Sequence, residues 1–210
     1  AHAAPLPPPA ALALSTPPSP DPGPAHPTRL PNPKSLGLYS TGISNAGLVH
    51  LKGMKQLDLL TVTDTDIDDD GLEHLKNLTS IRYLDIAQTR VTGRGLVHVQ
   101  NMRGLIDLNL TYCRYFNDAG LAHVTAFPEL QELVLFRTTV SDKGLVHVAQ
   151  LKDLRWIVIR NTRVTDEGLV HLKGLDKLEA LLAESTRITD KGLVHLAELK
   201  NFRKLGLSTN

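Results

Sequence analysis

Seven histidines recur along the chain at nearly constant intervals: His50, His74, His98, His123, His147, His171 and His195. Imidazole is the commonest metal ligand and the side chain that titrates near neutrality, so such a row invites a reading as a metal or proton site. A second chemical candidate is the acidic stretch DTDIDDDGLEHLKN, in which Asp66, Asp68, Asp70 and Gly71 match the first half of a calcium-binding loop. The single cysteine, Cys113, is a third.

Each candidate weakens when its spacing is worked through. The histidines follow a glycine by three residues, which on a helix sets them about 100° from the centre of the leucine stripe, at the edge of the buried face. Successive histidines then sit on neighbouring helices about 8 to 10 Å apart, too far to converge on one ion without strained side chains. A structural role, hydrogen bonding to a neighbouring loop or carbonyl, is the expectation. The acidic loop fails at its twelfth position, where a bidentate glutamate is required and Asn77 stands. Its acids fit a helix N-terminus instead. Cys113 alone forms neither an internal disulfide nor a cysteine-built zinc site, and no lysine or helix N-terminus is aimed at it.

No GxSxG, HExxH or GxxxxGK[ST] signature occurs, and TGRGLVHV lacks the third glycine and preceding strand of a dinucleotide loop. The sequence therefore points away from an enzyme and implies no cofactor and no metal. Beyond residue 35 there are 21 Lys and Arg against 21 Asp and Glu, a balance without generic attraction to nucleic acid or anionic lipid. No apolar run is long enough to cross a membrane, which excludes membrane insertion by a helix. The chain opens on Ala1, which reads as a processed product or a fragment and leaves the compartment, secreted, cell-envelope or cytoplasmic, open.

The elements that carry these residues are set by a repeat. Twelve of the 13 prolines fall between Pro5 and Pro33, so residues 1–33 read as a disordered or polyproline-II tether. In residues 34–210, glycines at 47, 71, 95, 120, 144, 168 and 192 mark a period of 24 residues with one step of 25. Ten, thirteen and fifteen residues after each glycine the chain is nearly always aliphatic, as in Leu154, Ile157 and Ile159, and the last two have strand spacing. Around the glycine the period changes: Leu169, Leu172 and Leu175 recur in steps of three, and Thr165 with Asp166 supplies a helix start.

The unit LRWIVIRNTRVTDEGLVHLKGL resembles the leucine-rich repeat, with threonine replacing the asparagine of LxxLxLxxN. Its ITDxGL-like tail is similar to bacterial leucine-rich arrays and to the cysteine-containing repeats that accompany F-box proteins. The resemblance implies an α/β, right-handed solenoid with a parallel sheet on the concave face and short helices on the convex face. It covers a partial leading unit, six full repeats and a truncated last unit. Parallel strands lie about 4.8 Å apart and packed helices about 8 to 10 Å apart, so the strand side must curve inward. Thr65, Thr89, Thr138, Thr162 and Thr186, with Cys113 in the same register, are expected to satisfy backbone groups in the turn.

Function is then expected where the array does not repeat. Outward strand positions carry Tyr83, Val134, Trp156, Val158 and Leu182, followed by Phe136 and Arg160, with Arg137 just beyond. The 25-residue unit places its extra residue within CRYF, so Arg114 and Tyr115 should bulge from the rim beside Tyr112. An apolar patch edged by arginine has the composition of an interface. The expectation is a non-catalytic module binding a protein or peptide on the concave face. Two alternatives stand beside it: the substrate-recognition part of a larger ubiquitin-ligase-like or kinase-linked protein, and self-association through an uncapped C-terminal edge. The tether is a further candidate for covering the patch.

Overall fold

A computed structural model describes residues 12–13 and 33–208. The proline-rich tether, apart from Leu12, Ala13 and Pro33, lies outside the described residues. Nine parallel strands form one sheet in strict chain order. They are β1 (Leu12–Ala13), β2 (Ser35–Gly37), β3 (Leu59–Thr61), β4 (Tyr83–Asp85), β5 (Asp107–Asn109), β6 (Glu132–Val134), β7 (Trp156–Val158), β8 (Ala180–Leu182) and β9 (Lys204–Gly206).

From β2 onward the register is one repeat per strand, so that Leu60, Leu84, Leu108, Leu133, Ile157 and Leu181 form a row across the sheet. All six are buried, and the aliphatic residue two places on joins them in the core: Val62, Ile86, Leu110, Leu135 and Ile159 are each 0% exposed. A parallel strand of three residues contributes little alone, and the continuous apolar layer between sheet and helices is what holds each unit to the next.

The other side of each unit carries a short helix: α1 (Asn45–Leu48), α2 (Asp69–Glu73), α3 (Asp118–Leu121), α4 (Asp142–Val148), α5 (Asp166–Leu169) and α6 (Asp190–Leu193), with a 3-10 helix over Gly93–Val99 in the remaining unit. Helices of one or two turns are marginal by propensity. Their starts are fixed by side chains: Asp68, Thr92, Asn117, Thr165 and Thr189 each accept a hydrogen bond from the backbone N–H two residues on.

The acid next to the cap has a different partner from the one expected. Asp166 opens α5, and the cap bond there is made by Thr165. The Asp166 carboxylate accepts from the backbone N–H and the hydroxyl of Thr189 in the following repeat, both at 2.7 Å. Asp142 does the same to Thr165, Asp118 to Ser141 and Asp69 to Thr92. This ladder explains the glycine that keeps the period. A Cβ on Gly168 would stand 2.4 Å from the Asp142 carboxylate, so the site needs hydrogen because the acid of the previous unit occupies the space.

At one joint the ladder is missing. Gly93 occupies the position of the acid, and a Cβ there would meet the Gly120 backbone at 2.1 Å. Close backbone contact replaces the carboxylate bridge between the Gly93–Val99 turn and α3, beside the 25-residue unit. In that unit Phe116 fills the core position of Val91 and Val140, all three fully buried, as the register predicts.

After each of β2 to β8 the chain turns through a residue with positive φ: Ser40, Asp64, Gln88, Tyr112, Arg137, Asn161 and Ser185. The next residue ties the turn. The hydroxyls of Thr65, Thr89, Thr138, Thr162 and Thr186 donate to the carbonyl three residues earlier, at 2.6 to 2.8 Å. Cys113 reaches back instead to the Ile86 carbonyl of the preceding repeat, at 3.1 Å.

Candidate functional site

The outward side chains of the sheet form rows. One runs Leu59, Tyr83, Asp107, Glu132, Trp156, Ala180 and Lys204; the next runs Thr61, Asp85, Asn109, Val134, Val158, Leu182 and Gly206. Two residues beyond the strands lie Thr111, Phe136, Arg160 and Glu184.

Val134, Val158 and Leu182 therefore lie side by side on β6, β7 and β8, all half-buried. Trp156 borders them. The Lys204 ammonium stands 5.3 Å from the centre of its ring, and Ala180, between the two in register, is only 1% exposed. An alanine at that position leaves room for the indole on this face.

Phe136 packs edge-on to Tyr112 with ring centres 5.1 Å apart, and the Arg137 guanidinium lies 4.9 Å from the Tyr112 ring and 5.6 Å from the Phe136 ring. Tyr112 and Arg137 are the two bulky residues among the positive-φ turns, a conformation costing roughly 1 kcal/mol or more outside glycine. Their stacking gives that strained backbone a fixed aromatic rim.

Arg160 differs from the expectation of a free rim cation. Its guanidinium is bound in a fork to the Glu184 carboxylate, with Nη2 donating to Oε1 at 2.6 Å and Nε to Oε2. Partial burial raises the Glu184 pKa, and the hydrogen bond and charge of Arg160 outweigh that and hold it below the usual carboxylate range.

Arg114 and Tyr115 do project from the 25-residue unit, Tyr115 being 64% exposed. With Tyr112 they line a groove of about 410 Å³ whose other wall includes Thr41, Asp64 and Arg90, on the turn side of the strands. Tyr83 stands apart from the apolar group, since Asp107 and Glu132 lie between it and Trp156 in register.

Those two acids are what the sequence reading passed over. Asp107 and Glu132 are half-buried direct neighbours on β5 and β6. Burial first, then the adjacent charges of Glu132 and Asp85, pushes the Asp107 pKa up to about 7, and burial raises that of Glu132. Asp85 is held in place, accepting from the Thr63 hydroxyl at 2.7 Å and the Ala87 N–H at 3.0 Å. The available signal was the register that located Trp156 and Val134; the balanced charge beyond residue 35 concealed a local pairing of like charges.

The other chemical candidates are absorbed by the scaffold. Asp66 pairs with Arg90, Asp68 caps α2 and accepts from Asn45, and Asp69 serves Thr92. Among the described residues no group of three or more His, Cys, Asp and Glu is arranged to hold a metal. Of the seven histidines only His123 makes a side-chain hydrogen bond there, to Gln100 at 3.1 Å. Among the described residues the expected turn-to-turn bond at His171 does not form; consecutive helix starts are joined there by the Asp–Thr ladder. Burial raises the Cys113 pKa, the opposite of an activated thiol.

No family model and no curated protein matches the chain. Among solved structures, internalin C2 of Listeria monocytogenes is 26% identical, with 82% of this chain covering 72% of that one at a TM-score of 0.67. An internalin (inlF) of the same organism is 22% identical, with a TM-score of 0.65. The fold is a leucine-rich-repeat solenoid. This leucine-rich-repeat chain covers 54% of the length of the second structure, with 84% of its own residues matched. No helix among the described residues is long and apolar enough to cross a membrane.

Proposed function

We propose that this leucine-rich-repeat array is a non-catalytic protein-interaction module that takes a protein or peptide segment across β6, β7 and β8 of its concave face. The observation that carries the reading is the in-register group Val134, Val158 and Leu182, bordered by Trp156 and the Phe136–Tyr112 pair. Contiguous apolar and aromatic side chains on a rigid sheet match the central patch of an interface, where a few anchors supply most of the affinity. The fold likeness to internalin repeat domains supports the same reading.

The test replaces Trp156 and Phe136 by alanine, singly and together, and measures partner capture from the native host with circular dichroism as the folding control. Each single variant is expected to weaken capture by about tenfold or more. Undiminished capture by a folded double variant would remove this face from the proposal.

A further inference from the structure

Several acids along the edge of the sheet are paired with a cation of the neighbouring repeat. Asp58 faces Arg82, Glu179 faces Arg155 and Glu184 faces Arg160, each pair 24 residues apart and therefore on adjacent repeats. Within the outward rows Asp85 is held by the Thr63 hydroxyl and the Ala87 N–H, whereas among the described residues Asp107 has no such partner. Its register neighbours are Tyr83 and Glu132, and those of Glu132 are Asp107 and Trp156. Among the described residues neither carboxyl receives a hydrogen bond or an ion pair, and the charges that act on Asp107 are the acids Glu132 and Asp85.

Like charges directly opposite on neighbouring strands are destabilising. Two half-buried carboxyls without a cation beside an unpartnered apolar surface are complementary to a ligand that brings both a positive charge and apolar side chains. Building on the concave-face reading above, we propose that Asp107 and Glu132 together receive a lysine or arginine of a peptide segment whose apolar side chains lie on Val158 and Leu182 beside Trp156.

The spacing of the sheet specifies that segment. With strands about 4.8 Å apart, the midpoint of Asp107 and Glu132 lies about 7 Å across the sheet from β7 and about 12 Å from β8, and Val158 and Leu182 stand two residues, about 7 Å, further along their strands, so about 10 and 14 Å away. An extended chain advances about 3.3 Å per residue and shows every second side chain to one face. The segment therefore reads as a basic residue with apolar ones two to four residues on, running obliquely across the strands. A cation between the two acids draws a proton from the pair, so binding strengthens as pH rises through neutrality.

A displayed library of random peptides of about twelve residues, selected on the whole chain at pH 8, tests this. The expected result is enrichment of a lysine or arginine two to four residues from an apolar one. The recovered peptide, titrated by calorimetry, should bind about tenfold more weakly to the folded D107N/E132Q double variant. Wild-type affinity should fall between pH 8 and pH 5.5 while that of the double variant stays flat. Apolar peptides without a basic residue, held equally by the double variant and lost on Trp156→Ala, would overturn the inference and leave the concave-face reading standing. Peptides indifferent to both sets of substitutions, or no enrichment at all, would overturn both.

Discussion

Strands β5 and β6 present Asp107 and Glu132 at the register position that Trp156 and Ala180 occupy on β7 and β8, over one continuous buried row of Leu108, Leu133, Ile157 and Leu181. The scaffold beneath is the same and the chemistry above it is opposite. On the apolar side the exposed surface is aliphatic and aromatic, and its acid, Glu184, is neutralised by Arg160. On the acidic side the charges face one another and burial disfavours both of them. A repeat array separates the two tasks: positions that repeat hold the fold, and the positions between them are free to carry unfavourable chemistry.

The comparison is broken most severely by moving acidic character onto the apolar side. Val158→Asp is expected to weaken binding of the peptide selected on this face by about a hundredfold, read by calorimetry, with the circular dichroism spectrum unchanged. Retained affinity would show that the apolar row does not carry the contact.

The next effect runs the other way. Asp107 titrates at about 7 in the fold and near 4 in the unfolded chain, so the folded state holds the proton more tightly. Stability from this group is complete below about pH 4 and is lost as pH rises to about 7. Asp107→Asn should therefore raise Tm by a few degrees at pH 8 and leave it unchanged near pH 3.5, in paired thermal melts. A gain of equal size at both pH values would show that charge is not the cause.

The convex side sharpens the contrast by being indifferent to it. Asp118→Ala, under the acidic side, and Asp166→Ala, under the apolar side, each remove bonds to the following repeat and should cost about 1 kcal/mol alike in urea unfolding. Unequal losses would mean that the ladder is tuned to the surface across the sheet. Smallest is Arg160→Ala, which opens a partly exposed fork to Glu184 and should change stability by less than about 1 kcal/mol.

Much of this architecture is legible in the residues. The 24-residue period, the buried aliphatic row, the threonine ties at Thr65 through Thr186, the displaced Phe116 and the projecting Tyr115 all follow from register, because identical units stack only with identical positions aligned. The role of Asp166 was not legible. Within one unit it looks like a helix-start acid, and only stacking shows that its carboxylate accepts from Thr189 of the following repeat. The same holds for Arg160, whose partner is 24 residues away, and for the Asp107–Glu132 pair, which is 25 residues apart in sequence and adjacent in space.

The sequence by itself determined what is periodic: strand, turn, capped helix and the spacing that bends them into a solenoid. A local apolar pattern dictates a local element, and copies of one element have few ways to pack. The tertiary structure decided which charges are paired, which histidine makes a side-chain hydrogen bond and where two acids meet without a cation. Those are contacts between repeats, and their energy depends on distance and burial, which no single unit contains.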